Sequence, residues 1–376
     1  MRPLLLLILT LVSSLQAVQW PAGTKAVIPF TANKTLVGEA VPNFCYSVKI
    51  VTDARFKAAF NSAANITIFD TVTGLVRPSR IWYYTKDTVY ADFDGATSTS
   101  VNKIFHACAG PAINRVNSAQ AYSGITNEWG FDEQPGSTTV ADYAGSVVLT
   151  NVGNALKSGF FGNELNGGNS NYYTYGSSNI MSGITAFLLS FVLNVSNLST
   201  VQTVFASRET GTTGVGCHVQ INNGNLDVYI GATNSLYRYA CSTIGLTVNT
   251  YVLIDIVYNG ADAVTPLKLY LNGDYKISSS IIGTIPTSLP VVSGAYINIA
   301  GRYQTTQGLL GSIDNCILGV GQIQSSGIIS TRSAMLLSPQ SFWTQGASFG
   351  VGKSTNNNKT YIPYKRKWHG LNSYAK

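Results

Sequence analysis

The sequence predicts an all-β protein of two sandwich-like domains, and three observations carry that prediction. Short apolar or alternating segments recur roughly every 8–15 residues through the second half, the spacing of an all-β sandwich. Asn-Gly pairs at Asn223-Gly224, Asn259-Gly260 and Asn272-Gly273 punctuate them as turns. Charged residues are only 11% of the chain, against 36 Gly and 21 Tyr, so Asn, Ser, Thr, Gly and Tyr must cover the surface. That balance suits extracellular β proteins and fibre proteins better than a cytosolic enzyme or a disordered chain.

The chain opens with Arg2, an apolar run from Leu4 to Val12, and a small-residue stretch ending at Ala17. This is the pattern of a cleaved export signal over residues 1–17, and the run is too short to span a bilayer. No later stretch is long and apolar enough for a membrane helix, so the mature chain is expected to be secreted. The formal charge is +7, but Arg2 and the six basic residues Lys353, Lys359, Lys365, Arg366, Lys367 and Lys376 account for all of it. Residues 18–350 are balanced and offer phosphates no net positive field, which argues against nucleic acid as a partner.

The first domain is expected over residues 18–133. An extended arm leads into a short strand by Phe30, with Pro21 and Pro29 excluding helix. Asn43–Val51 alternates cleanly. One helical turn is expected at Phe56–Asn61, and strands at Ile66–Phe69, Ile81–Tyr84, Val89–Phe93 and Val101–Cys108. Phe44–Val48, Ile66–Asp70 with Gly74, Val89–Phe93, Ile104–Gly110 and a Trp129–Glu133 exit stand in the order of a known module. The region resembles the uncharacterised β-domain that precedes jellyrolls in prokaryotic surface proteins. That family's Tyr-Tyr-Gly is His106 to Gly110 here, and no activity comes with the resemblance.

Residues 134–139 read as a linker. Strands are then expected at 147–149, 160–165, 172–175, 186–195, 201–207, 217–221, 226–230, 236–241, 251–258, 267–272, 296–300 and 309–318. The segments Phe160–Gly176, Tyr251–Gly260 with Leu267–Gly273, and Gly308–Cys316 follow one another as three motifs of one family. Residues 140–345 resemble a laminin G-like, concanavalin A-type jellyroll, which implies two packed antiparallel sheets and, in many members, glycan binding. Asn166, Gly168 and Asn171 stand where that family often has aspartates.

Five cysteines in a secreted chain suggest two disulfides and one remainder. Cys45 and Cys108 lie in the first half, and Cys217 and Cys241 in neighbouring predicted strands of the second. Cys316 is left as a buried thiol or an intermolecular bridge. Asn33, Asn65, Asn194, Asn197 and Asn358 sit in N-x-[ST] sequons.

Catalysis finds little support. No strand carries the paired carboxylates of a retaining glycosidase, and Glu128 to Glu133 reads as an exit strand with a solvated acidic end. The G-x-S-x-G at Gly346–Gly350 lacks a following helix, acid and histidine, and reads as a flexible hinge. The expectation is therefore a non-enzyme with no cofactor. Asp314 is a weak calcium candidate, more simply read as accepting backbone N–H groups at a strand bend. Tyr172, Tyr173, Tyr175, Tyr237 and Tyr239 are candidates for stacking on sugars.

Residues 346–376 form a basic, aromatic tail beyond a finished jellyroll. Tyr361, Ile362, Tyr364, Trp368 and Leu371 would suit strand addition to a neighbouring copy, and head-to-tail contacts of that kind build filaments. Two functions follow as expectations: a self-assembling subunit of a filament, surface layer or fibre, or a glycan-binding adhesin.

Overall fold

The computed structural model describes residues 18–351, apart from 86, 112–120, 123, 135, 154, 160–161, 167–171, 177–179, 209–215, 233–234, 242–243, 277–279, 283–285, 292–295 and 302–306. The export signal, Asn358 and the proposed assembly residues Tyr361, Ile362, Tyr364, Trp368 and Leu371 lie outside the described residues.

The first part of the chain forms β1 (Ala26–Ala32), β2 (Phe44–Val51), α1 (Ala54–Ala59), β3 (Ile66–Asp70), β4 (Leu75–Arg77), β5 (Ser79–Tyr84), β6 (Thr88–Gly95) and β7 (Lys103–Ala109). The jellyroll strands are β8 (Asn127–Trp129), β9 (Thr139–Val140), β10 (Leu149–Val152), β11 (Ala155–Gly159), β12 (Gly162–Asn166), β13 (Tyr172–Tyr175), β14 (Ala186–Val195), β15 (Gln202–Arg208), β16 (Gly216–Asn222), β17 (Asn225–Ala232), β18 (Ser235–Cys241), β19 (Tyr251–Asn259), β20 (Leu267–Leu271), β21 (Asp274–Lys276), β22 (Ser280–Ile282), β23 (Tyr296–Ile299) and β24 (Gly311–Val320). The chain closes with α2 (Ser326–Leu337), α3 (Pro339–Phe342), β25 (Trp343–Gln345) and β26 (Phe349–Gly350).

The first domain is a sandwich of a β25-β1-β7-β3-β4 sheet, with β26 also on β1, and a β2-β6-β5 sheet. The alternation of β2 turns Phe44, Tyr46, Val48 and Ile50 into the core. There Tyr46 stacks on Phe93 at 5.2 Å, and Phe93 meets Phe105 edge-on at 4.9 Å. The second domain packs a nine-stranded sheet, β22-β18-β17-β16-β15-β23-β13-β10-β9, against an eight-stranded one, β11-β12-β24-β14-β19-β20-β21 with β8 on β24. Two hairpins turn on residues the sequence singled out: Asn223-Gly224 has φ of 48° and 78°, and Asn272-Gly273 has 53° and 85°, both residues positive as a two-residue hairpin turn of this type requires. Gly311 lets β24 pass close to β14, since a Cβ there would lie 2.1 Å from the Asn194 carbonyl oxygen.

The strand pairing redraws the domain boundaries. β8 was expected in the first domain, but it pairs with β24, and Trp129 is buried in the jellyroll core with its indole N–H on the Val147 carbonyl at 2.8 Å. Residues 326–345 were expected in the jellyroll, but Met335, Leu336, Phe342 and Trp343 complete the core of the first domain. The G-x-S-x-G is held against the first sandwich rather than being a hinge, and its last two residues are strand. Phe349 and Gly350 pair with Val27 and Ala26, and Ser348 donates its hydroxyl to Asp53 at 2.6 Å. The first sandwich is thus made from both ends of the chain.

Helix α2 was not foreseen. Ser325 caps it, accepting from the Ile328 N–H at 3.2 Å. It lies between the domains: Ile329 packs on Leu188, Val257 and Tyr270 of the jellyroll, while Met335 accepts the Ser47 N–H at 3.1 Å from β2.

The expected disulfides are not formed; Cys45, Cys108, Cys217 and Cys316 are free. Phe44 and Tyr46 face the core, so Cys45 faces away from it, and Cys108 belongs to a small cluster with Val27 and Phe69 rather than to that core. The core therefore separates the two thiols. Cys217 on β16 aligns with Ile230 and, through it, with Tyr237 on β18. Cys241 lies four residues further along β18, with β17 between, well beyond the roughly 7 Å that a disulfide can bridge.

Candidate functional site

The jellyroll concentrates polar side chains on the outer face of its nine-stranded sheet. In β16, Cys217, Val219 and Ile221 enter the core, so His218, Gln220 and Asn222 face the other way. In β17, Leu226, Val228 and Ile230 enter the core, leaving Asp227 and Tyr229 on the outer face. The hairpin register sets His218 opposite Tyr229 and Gln220 opposite Asp227. β15 adds Thr203 beside Gln220 and Ala206 beside His218, and β23 adds Asn298 beside Ala206.

These groups are joined. Gln220 Nε2 donates to the Tyr229 hydroxyl at 3.1 Å, which donates to Asp227 Oδ2 at 3.2 Å. Asn222 Nδ2 reaches the same oxygen at 3.2 Å. His218 Nε2 lies 3.0 Å from Thr203 Oγ1, and its ring stacks on Tyr229 at 5.8 Å with 28° between planes. Asp227 is fully buried, His218 5% and Asn298 1% exposed, and Tyr229 half-buried. The Asn298 amide oxygen is buried without a hydrogen bond. The hydrogen bonds among His218, Thr203, Gln220, Tyr229, Asn222 and Asp227 offset much of the cost of burying these polar groups. Such a network holds an amide, a phenol, an imidazole and a carboxylate in fixed orientation. Planar rings and oriented hydrogen-bonding groups together are what a polyhydroxylated ligand needs.

The residues expected to stack on sugars fare differently. Tyr173 is fully buried, in edge contact with Phe131 at 5.5 Å, so it is core and not platform. Tyr172 and Tyr175 are half-buried on β13. Tyr237 and Tyr239 pair in register with the core residues Ile230 and Val228; their side chains lie outside the described residues. Tyr229, His218 and Gln220 were missed, although strict alternation around Asn223-Gly224 placed them on one face.

Asp314 is buried in β24 beside a bulge, where Asn315 has φ of 48° and the pairing with β14 slips. Among the described residues no group of three or more His, Cys, Asp or Glu is arranged to hold a metal ion. The Glu128–Glu133 segment is not a solvated end: Glu128 is 3% and Asp132 9% exposed. Asn33, Asn65, Asn194 and Asn197 are each half-buried. Among the described residues no helix is long and apolar enough to cross a membrane.

An antiparallel jellyroll with a polar outer face defines a concanavalin A-like β-sandwich. Residues 166–317 match the sequence model of the concanavalin A-like lectin/glucanases superfamily, laminin G type. The match leaves the first sandwich outside it. Among curated proteins none matches the chain. Solved structures with a similar fold include the receptor binding domain of botulinum neurotoxin C/D mosaic serotype, at 14% identity and TM-score 0.43 over 56% of this chain and 51% of that one. Domain 4 of AbnA, a GH43 extracellular arabinanase from Geobacillus stearothermophilus solved with arabinotriose, is 16% identical with TM-score 0.41 over 55% and 97%. The binding domain of botulinum neurotoxin DC, solved with rat synaptotagmin II, is 14% identical with TM-score 0.42 over 57% and 52%. The chain spans about half the length of the neurotoxin domains it matches.

Proposed function

We propose that this is a secreted, non-enzymatic protein that binds an oligosaccharide on the outer face of its nine-stranded sheet. The supporting observation is the hydrogen-bonded group of His218, Gln220, Asp227 and Tyr229 on that face. Asp227 is the single carboxylate in the group and lies opposite Gln220, whereas glycoside hydrolysis needs a facing pair. The group therefore suits recognition. Tyr229, half-buried, supplies ring face and hydroxyl at the surface of the group.

Self-assembly through the tail is the competing reading. One form of it is disfavoured, because β25 and β26 already occupy the β1 edge that a neighbour's strand would add to. A glycan array probed with the purified mature protein, beside negative-stain microscopy with and without residues 351–376, separates the two. Glycan binding by monodisperse protein supports the proposal. Filaments that vanish on tail deletion, with no glycan bound, overturn it.

A further inference from the structure

The two sandwiches meet over an acidic seam. On the jellyroll-facing side of the β2-β6-β5 sheet, Ser47, Asp92 and Arg80 form one cross-strand row. Opposite them, Glu128 comes from β8, and Asp314 and Asn315 from β24. Asp92, Glu128, Asp132, Tyr143, Asp314 and Asn315 line a tight gap with no room for a water molecule. Four carboxylates share it.

Among the described residues, two arginines supply the countercharge to Glu128. Arg332 is already committed to Asp255 at 3.1 Å and Gln324 at 2.5 Å, and Arg80 lies over the Tyr143 ring. Asp92 is supported as an anion, since Ser47 Oγ donates to one oxygen at 2.6 Å and the Tyr122 hydroxyl to the other at 3.0 Å. Asp132 has the Tyr143 hydroxyl at 3.4 Å. Glu128 differs. Its backbone N–H is held by Asp142 at 3.0 Å, but its buried Oε2 has no hydrogen-bond partner. An ionised carboxylate in that position would be a desolvated charge facing another one.

We propose that Glu128 carries a proton in the folded protein and that this proton keeps the two sandwiches closed, so that the seam loosens as the pH rises. Burial first, and the Asp92 charge second, hold the Glu128 carboxyl well above the ordinary carboxylate range, against the weaker pull of Arg80 and Arg332. The group is thus an acid whose folded pKa is raised. Its stabilising effect is complete below the ordinary glutamate pKa and is lost as pH climbs towards the folded value. Among the described residues, the other groups facing the seam are Cys45, Ser47, Asp92 and Asp94 from β2 and β6, Arg80 from β5, and Arg332 from α2. Tyr122, Asp132, Asp142 and Tyr143 come from the segments flanking β8, and Asp314 and Cys316 from β24. Their net charge is negative, so ionising Glu128 adds repulsion.

The test is amide hydrogen exchange of the full mature chain, corrected for intrinsic rates, from about pH 5 to about pH 9, a range above the ordinary glutamate pKa. In the wild type, protection of β6 and β8 should fall, at most about tenfold per pH unit, as expected for one linked proton. Glu128→Gln mimics the neutral acid and should flatten the profile. Asp92→Asn removes the opposing charge and so lowers the Glu128 pKa; the loss should level off at lower pH and be smaller than in the wild type, which serves as a second variant if Glu128→Gln does not fold. A wild-type profile without pH dependence overturns the proposal, and so does a Glu128→Gln profile that falls like the wild type. Recovery of protection at high pH by calcium chloride, reversed by EDTA, would also overturn it in favour of a bound cation.

Discussion

Arg332 on helix α2 donates a hydrogen bond to Asp255 on jellyroll strand β19 at 3.1 Å, with Asp255 fully buried. The contact ties the closing helix to the outer face of the jellyroll's eight-stranded sheet, while the same helix supplies Met335 and Leu336 to the first sandwich's core. Burial raises the Asp255 carboxyl and the Arg332 guanidinium opposes that rise. Replacing Arg332 by Met should strand the acid and cost about 3–5 kcal/mol of stability. Adding Asp255→Asn should recover much of that loss. Calorimetry of the single and double variants measures it.

Trp343 is 7% exposed, packs on Phe30 at 5.4 Å and donates its indole N–H to the Ser47 carbonyl at 2.9 Å. Trp343→Ala should cost about 3–5 kcal/mol. The loss should fall on the first sandwich, more than two hundred residues away along the chain. Urea unfolding followed by exchange protection of β1 and β7 would show this.

Asp53 caps α1 through the Phe56 N–H and accepts the Ser348 hydroxyl. The Ser348 hydroxyl bond and then the Phe56 N–H hold its carboxyl below the usual aspartate range. A lowered acid stabilises above its unfolded pKa, and the effect is lost as pH falls through the folded one. Asp53→Ala should cost about 1 kcal/mol at neutral pH, and that difference should shrink on acidification. Thermal melts of both proteins from neutral to acid pH check the trend.

The thiols give a chemical test. Burial pushes the Cys217 thiol up to about 12 and raises Cys108 and Cys316 as well. These three should resist iodoacetamide in the folded protein and react after unfolding in denaturant without reductant. Peptide mapping of alkylated sites would reveal any that is instead oxidised.

Much of the jellyroll was legible because its hairpins are local. Asn-Gly turns fix register, and register fixes faces, so β16 and β17 could be read within two residues of their ends. The closing helix was not legible. Its sequence, SGIISTRSAMLL, has no single apolar stripe because it is buried on two sides: Ile329 meets the jellyroll and Met335 the first sandwich. The Ser325 cap was its one sequence signal. The acidic seam was hidden for a related reason. Glu128 looks like part of an exit strand with a solvated acidic end until β8 is seen to pair with β24, and nothing local announces that pairing. Tyr173 failed as a platform because its neighbours on β13 alternate and the sequence does not say which phase faces the core.

The measurement that bears most directly on function is oligosaccharide binding by the wild type, Tyr229→Ala and His218→Ala, with melting temperatures recorded alongside. Glycans captured by the wild type on an array should bind each variant at least about tenfold more weakly, as expected when a ring and its oriented hydroxyl are lost from a site. Both variants should remain folded. Undiminished binding by both variants, or no glycan bound by the wild type, would contradict the assignment of this face.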